Sequence, residues 1–135
     1  SRDWSSDVCS SDLNPDVRII AAEPMQGEAV MGLRSLEDGY TPEILDLAQL
    51  DRKLLVTNLE SVHAMRDLLH REGIWVGVSC GAAMHVARKV AGEMEPDQNL
   101  VTVFADGGAR YASANLFAER SEDELEELME DRLWW

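Results

Sequence analysis

Two glycine-containing segments hold side chains suited to binding a ligand. Residues 77–81 read GVSCG after a short apolar run, and residues 106–108 read DGG after another. Glycine lets the backbone approach a flat ligand closely, and the Ser79 hydroxyl both donates and accepts hydrogen bonds. Because ligands bind where strands end in open α/β sheets, the segments predict a site with a hydroxyl and a carboxylate. A capped strand-to-helix junction explains the same residues without a ligand, so both interpretations stay open.

Short apolar runs around these segments indicate the strands that must position them. Residues 17–22, 52–56, 74–76 and 100–104 are nearly continuous apolar stretches, as expected for strands covered on both faces. Helical patterns separate them. Strand and helix in alternation are typical of a parallel sheet with covering helices, so the predicted class is α/β.

Three stretches have the apolar spacing of a helix with one buried face. The first follows Thr57-Asn58-Leu59-Glu60, a capping box in which threonine and glutamate satisfy free amides, and it ends at Gly73. The second begins at Gly81, and the third follows a second capping box from Ser121 to Glu124. Residues 25–50 have no clean period, and so long an irregular connection is usually functional.

Charge and composition exclude several classes of function. The net charge is −14, and residues 119–132 hold eight acids and two arginines, which argues against binding nucleic acid. No apolar run reaches the ~18 residues of a membrane span. The two cysteines and three histidines have no metal-ligand spacing, so we expect no metal site. A chain without a disulfide framework fits the reducing cytoplasm.

The first residues differ from the rest of the chain. Residues 3–13 read DWSSDVCSSDL, have no strand or helix period, and look like one reading frame of a sequencing-adapter oligonucleotide. We therefore expect residues 1–13 to be a scar outside the fold, with coding sequence missing upstream. A natural linker rich in serine and aspartate is the alternative.

Three motifs in order resemble the cysteine synthase and cystathionine β-synthase family. They read NPDVRIIAAEP from residue 14, GIWVGVSCGAA from residue 73, and VTVFADGGARYASANLF from residue 101. The resemblance implies the two-domain α/β fold of type II pyridoxal-phosphate enzymes and a homodimeric parent. Residues 14–118 would be the C-terminal part of that enzyme domain, and residues 119–135 an acidic helix with an aromatic tail.

The family's serine motif implies how the cofactor is held. Ser79 occupies the place of the serine that faces the pyridine nitrogen of pyridoxal phosphate, between Gly77 and Gly81. A hydroxyl leaves that nitrogen nearly neutral, which suits β-replacement. The third motif departs from the family, with Ala105, Gly107 and Ala109 in place of proline, serine and glutamate, although Asp106, Gly108, Arg110 and Tyr111 match. Cys80 replaces the family's serine or threonine.

A loop and the terminus resemble one branch of the family. Residues 33–40 resemble the substrate loop of sulfhydrylases that prefer O-phosphoserine, which implies that Arg34 binds the substrate phosphate. A guanidinium offers phosphate two parallel, charge-assisted hydrogen bonds. A surface arginine on a loop is the alternative. The terminal Leu133-Trp134-Trp135 resembles the aromatic end of the same branch, and we hypothesise that it covers the site mouth or an interface.

The resemblance implies a cysteine synthase that makes L-cysteine from activated serine and sulfide or a carrier-bound sulfur donor. The family's Schiff-base lysine lies upstream of the matched region, and Lys53 and Lys89 match no such motif, so we expect no catalytic residue here and no activity from this chain alone. A cystathionine β-synthase or serine/threonine dehydratase on the same fold is one alternative. A non-enzymatic binding module is another.

Overall fold

The computed structural model describes residues 13–28, 30–39, 41–118 and 120–130. Strands β1 (Ile20–Pro24) and β2 (Arg52–Val56) pair in parallel, with Ala22 opposite Leu54. Helices α1 (Asn58–Glu72), α2 (Val78–Ala91) and α3 (Glu122–Glu130) follow, so the described part of the chain has the predicted α/β class. None of the described helices is both long and apolar enough to cross a membrane.

Both predicted capping boxes form. The Thr57 hydroxyl accepts from the Glu60 amide at 3.1 Å, and the Thr57 amide donates to the Glu60 carboxylate at 2.8 Å, which fixes the start of α1. Gly73 ends that helix with a positive φ of 68°. At α3, the amides of Ser121 and Glu124 each donate to the other residue's side chain. The terminal residues 131–135, with the proposed aromatic tail, lie outside the described residues, as do residues 1–12.

The core lies between α1, α2 and the loops that cross their ends. Helix α1 contributes Val62, Met65 and Leu68, each at most 3% exposed, and α2 contributes Val78, Cys80, Ala82 and Val86 to the buried set. Leu125 of α3 is fully buried. Small residues on the packed face of α2, such as Gly81 and Ala82, let the two helices approach closely.

The strands differ in detail from the prediction. The first lies at Ile20–Pro24 rather than at residues 17–22, because these five residues are the ones that pair with β2. Residues 74–76 form only one antiparallel bridge, from Val76 to Gly107. Residues 100–104 pair with no strand in the described part of the chain, although exposure alternates residue by residue from 101 to 104. A strand needs a hydrogen-bonded neighbour, which an apolar run alone does not supply.

An apolar groove separates β1 from residues 100–103. Its volume is about 670 Å³, and its lining includes Ile20, Ala22, Val86 and Val90. Val101 on its rim is 88% exposed. Exposed apolar surface of this kind favours association with other apolar surfaces.

Candidate cofactor and substrate site

Ser79 lies in the first turn of α2, one residue after that helix begins. Helix α2 starts at Val78 rather than at Gly81 because Gly77 is extended, with φ −82° and ψ 177°, and takes the N-cap position without a side-chain hydrogen bond. Among the residues that the structure describes, the half-buried Ser79 hydroxyl has no hydrogen-bond partner. It is therefore available to a ligand, close to the free amides of a helix N-terminus.

The irregular connection between β1 and β2 folds back onto Ser79. Gly32 has a φ of +87°, and a Cβ built there would lie 3.3 Å from the Ser79 Oγ and 3.9 Å from the Tyr111 hydroxyl. A side chain at this position would be strained and would crowd the serine. The sequence did not single out Gly32, because a glycine inside an aperiodic loop gives no signal of what it will face.

The two glycine-containing segments meet as predicted. The Tyr111 hydroxyl donates to the Asp106 Oδ2 at 2.7 Å, and the Cys80 thiol donates to the Asp106 Oδ1 at 3.2 Å. The Gly108 amide also donates to the Trp75 carbonyl at 3.0 Å. Asp106 thus ties its own loop to the start of α2, beside the serine.

Gly77 and Gly81 each allow a close contact. Gly77 lies against the loop of Asp106, and Gly81 lies against α1. A Cβ at Gly77 would overlap the Asp106 carboxylate and the Tyr111 ring, and a Cβ at Gly81 would overlap the Ser61 carbonyl and Met65 of α1. Both glycines are therefore explained by packing inside the protein. Their role in cofactor binding stays a prediction.

Arg34 lies two residues beyond Gly32, in an exposed part of the loop. Two Cα–Cα steps of about 3.8 Å keep its backbone within about 8 Å of the glycine that covers Ser79. The loop thus carries the candidate phosphate ligand to the neighbourhood of the candidate cofactor ligand. Tyr40, at the end of the predicted substrate loop, lies outside the described residues.

The lysines are paired with acids. The Lys53 ammonium lies 2.8 Å from the Glu23 carboxylate, and the Lys89 ammonium lies 3.7 Å from Glu60. Lys53 is exposed, whereas the Glu23 side chain that it pairs with is buried. Within the described residues, no group of three or more His, Cys, Asp or Glu side chains has the geometry of a metal site.

Tyr111 stays protonated over the whole physiological range. Burial, together with the hydrogen bond to Asp106 and that residue's charge, raises the pKa of Tyr111 to about 12. Because the folded pKa exceeds the ordinary value of about 10, the pair contributes full stability below pH 10 and loses it as the pH rises toward 12.

We expect alkaline titration at 295 nm to show a phenol that ionises near pH 12. Tyr111→Phe should remove this step. Asp106→Asn should move it toward lower pH. If no phenol ionises near pH 12 while circular dichroism remains native, the Asp106–Tyr111 contact is absent in solution.

The sequence profile of the family described as "Pyridoxal-phosphate dependent enzyme" matches residues 9–106. The chain belongs to this family. Its cofactor, pyridoxal phosphate, is the one that the sequence predicted. The match ends at Asp106, so it includes the Ser79 segment and the loop that carries Arg34.

Curated members of the pyridoxal-phosphate-dependent family include close sequence relatives of the chain. It is 36% identical over 107 residues to cysteine synthase B of Pseudomonas aeruginosa, an alignment that covers 79% of this chain and 36% of that protein. It is 31% identical over 128 residues to cysteine synthase A of Escherichia coli, with 90% of this chain and 40% of that protein covered. The chain thus spans well under half the length of these relatives.

Solved structures of the family share the fold. O-ureido-L-serine synthase superposes with a TM-score of 0.74 at 25% identity, covering 90% of this chain and 42% of that one. Cysteine synthase from Entamoeba histolytica superposes with a TM-score of 0.73 at 22% identity, covering 92% of this chain and 40% of that one. The α/β fold of type II pyridoxal-phosphate enzymes is therefore confirmed.

The residues around Ser79 fit part of such a cofactor. The serine hydroxyl lacks a partner among the described residues, and Gly32 presents backbone rather than a side chain to it. An aromatic ring nitrogen needs one small donor or acceptor and a flat approach, and this arrangement offers both. Ser79 would hold that nitrogen, and the amides of the first turn of α2 would lie beside it.

Proposed function

We propose that the chain is the C-terminal part of a cysteine synthase that forms L-cysteine from an activated serine and a sulfur donor. The observation that carries the proposal is the Ser79 hydroxyl, which has no partner in the described part of the chain and faces Gly32. Its relatives named cysteine synthase support the same reaction class.

The residues of this chain would bind and orient rather than break bonds. Pyridoxal phosphate, when bound, supplies the electron sink of the reaction. The uncharged Ser79 hydroxyl would hold the ring nitrogen without stabilising its protonated form. A carboxylate at the same place would stabilise that form. Asp106 and Tyr111, joined at 2.7 Å, would keep the adjoining loop against α2. The lysine that binds the cofactor would come from sequence upstream, so the chain alone is proposed to be inactive.

We propose that Arg34 binds the phosphate of the substrate. This contact would make O-phosphoserine the preferred substrate over O-acetylserine. The assignment is supported by an exposed guanidinium on the loop whose Gly32 covers Ser79. A cystathionine β-synthase or a dehydratase on the same fold uses no phosphorylated substrate and would not need this arginine. We further propose that the complete protein acts as a cytoplasmic homodimer.

Sequencing the source DNA upstream of the Asn14 codon tests the proposal directly. A reading frame that continues into a glycine-rich phosphate loop and, further back, a lysine supports the enzyme, and residues 1–13 are then a scar. A native start codon directly before SRDWSSDVCSSDL contradicts it and favours the non-enzymatic binding module.

In the restored enzyme, Arg34→Ala should lower kcat/KM for O-phosphoserine by about 10- to 100-fold, the cost of losing a charge-assisted contact with phosphate. The value for O-acetylserine should change by less than about threefold, because that substrate has no phosphate. Arg34→Lys should recover only part of the loss, since a lysine cannot make the bidentate contact. Equal losses for both substrates would contradict the assignment.

A further inference from the structure

Glu23, near the end of β1, is a buried carboxylate that contacts the loop of Arg34. It is 4% exposed, although glutamate rarely lies inside a protein unless it is paired. Its Oε1 accepts from the Leu36 amide at 2.8 Å and from the Ser35 hydroxyl at 3.3 Å. Its Oε2 lies 2.8 Å from the Lys53 ammonium of β2. One carboxylate therefore joins both strands to the loop.

The same loop passes over Ser79 before it reaches Glu23. Val30 is 1% exposed, and Gly32 turns with a positive φ beside the serine side chain. Ser35, 1% exposed, donates to Glu23 and in turn accepts from the Glu37 amide at 3.3 Å. Arg34 lies between Gly32 and Ser35 and is exposed. The position of its backbone thus depends on the attachment of Ser35 and Leu36 to Glu23.

The charge of Glu23 is retained despite its burial. Burial alone would raise the pKa of Glu23, but the ion pair with Lys53 and the hydrogen bonds from Leu36 and Ser35 outweigh it and leave the pKa below its ordinary value. A group that stays ionised while buried must keep its partners, because an unpaired buried charge is strongly unfavourable. Releasing the loop would cost Glu23 its hydrogen bonds from the Leu36 amide and the Ser35 hydroxyl.

We propose that Glu23, with Lys53, is a positioning residue that locks residues 32–38 over Ser79 and so sets where Arg34 meets the substrate. Glu23 touches no reacting atom and acts through the loop. The locking itself follows from contacts within this chain. Its consequence for substrate choice rests on the proposed function, in which Arg34 binds phosphate.

Limited trypsin digestion of the 135-residue chain tests the lock without any activity assay. The bond after Arg34 joins an exposed arginine to the buried Ser35, so cleavage requires the loop to leave its place. Glu23→Gln, which keeps the shape but removes the charge, should speed cleavage at this bond by about tenfold or more relative to the bond after Lys89 in α2. Ser35→Ala, which deletes one contact from the loop side, should speed it by a smaller factor.

Glu93→Gln is the matched control, because Glu93 forms an exposed ion pair with Arg52 of β2 at 2.5 Å and does not touch the loop. It should leave cleavage after Arg34 at the rate of the unaltered chain. An unchanged rate in Glu23→Gln overturns the proposal. An equal rise at the bonds after Arg34 and Lys89 overturns it as well, because that pattern reports general unfolding rather than loop release.

The restored enzyme separates this inference from the proposed function. Glu23→Gln should raise KM for O-phosphoserine about tenfold with little change in kcat. Glu23→Asp, which keeps the charge, should raise KM by a smaller factor. One outcome is faster cleavage after Arg34 in Glu23→Gln, while the unaltered enzyme has no preference for O-phosphoserine. This outcome supports the lock and overturns the substrate assignment. An O-phosphoserine preference with no effect of Glu23→Gln on cleavage or KM overturns the lock alone.

Discussion

Gly81→Ala is expected to abolish the folded state of this chain. A Cβ at position 81 would overlap the Ser61 carbonyl and the backbone of Met65, both in α1. These are helix backbone atoms, so α1 and α2 would have to move apart and open the core between them. Overpacking alone costs about 1–3 kcal/mol, and separating two packed helices adds to that cost. The higher helix propensity of alanine returns only about 1 kcal/mol, so the clash decides the outcome.

Gly92→Ala is the matched control at the other end of α2. Gly92 has a helical φ of −67°, and the nearest atom to an added Cβ is a carbonyl oxygen at 3.5 Å, an ordinary contact. The same substitution there should be neutral or stabilise the chain by up to about 1 kcal/mol. Circular dichroism with urea titration checks both variants. A Gly81→Ala variant with a midpoint like that of Gly92→Ala would show that the helices do not pack as described.

Local sequence signals predicted those elements whose structure depends on neighbouring residues. The Thr57–Glu60 and Ser121–Glu124 boxes both form, because a capping box needs only residues three apart. Asp106 also meets the start of α2 as predicted, but a single antiparallel bridge between Val76 and Gly107, and not the edge of a sheet, brings the two segments together. The strand at residues 100–104 was not realised as a paired strand, because pairing needs a neighbour that no local pattern supplies.

The contacts that complete the candidate site join residues far apart in the chain. Gly32 reaches Ser79, and Glu23 reaches Ser35 across a loop with no regular period. Glu23 follows an apolar run, and a single acid in that position is predicted to be a solvent-exposed residue at a strand end. The sequence predicts the same for Lys53. Only the fold shows that the two charges satisfy each other at 2.8 Å. The GVSCG segment indicated Ser79, and family resemblance supplied Arg34, but neither supplied the residues that hold them.

Met65→Ala is expected to lower the free energy of unfolding by about 2–5 kcal/mol. Met65 is fully buried at the contact of α1 with α2, and truncation removes apolar surface and leaves a cavity that the helices close only in part. A domain of this size has a total stability of about 5–15 kcal/mol, so the loss is a large share of it. Met25→Ala, at a position 42% exposed, should change the free energy by less than about 0.5 kcal/mol.

Combining Met65→Ala with Gly81→Ala distinguishes a backbone clash from a side-chain clash. Alanine at position 65 keeps the Cβ and the backbone nitrogen that an added Cβ at Gly81 would overlap, and the Ser61 carbonyl is unchanged. The double variant should therefore be no more stable than Gly81→Ala alone in urea titration. Recovery of a folded chain would mean that the outer methionine side chain, rather than the helix backbone, forbids a Cβ at position 81. Ser79 lies two residues before Gly81 in α2, so the contact between α1 and α2 also positions Ser79. The stability of the two packed helices and the geometry of the site therefore depend on one interface.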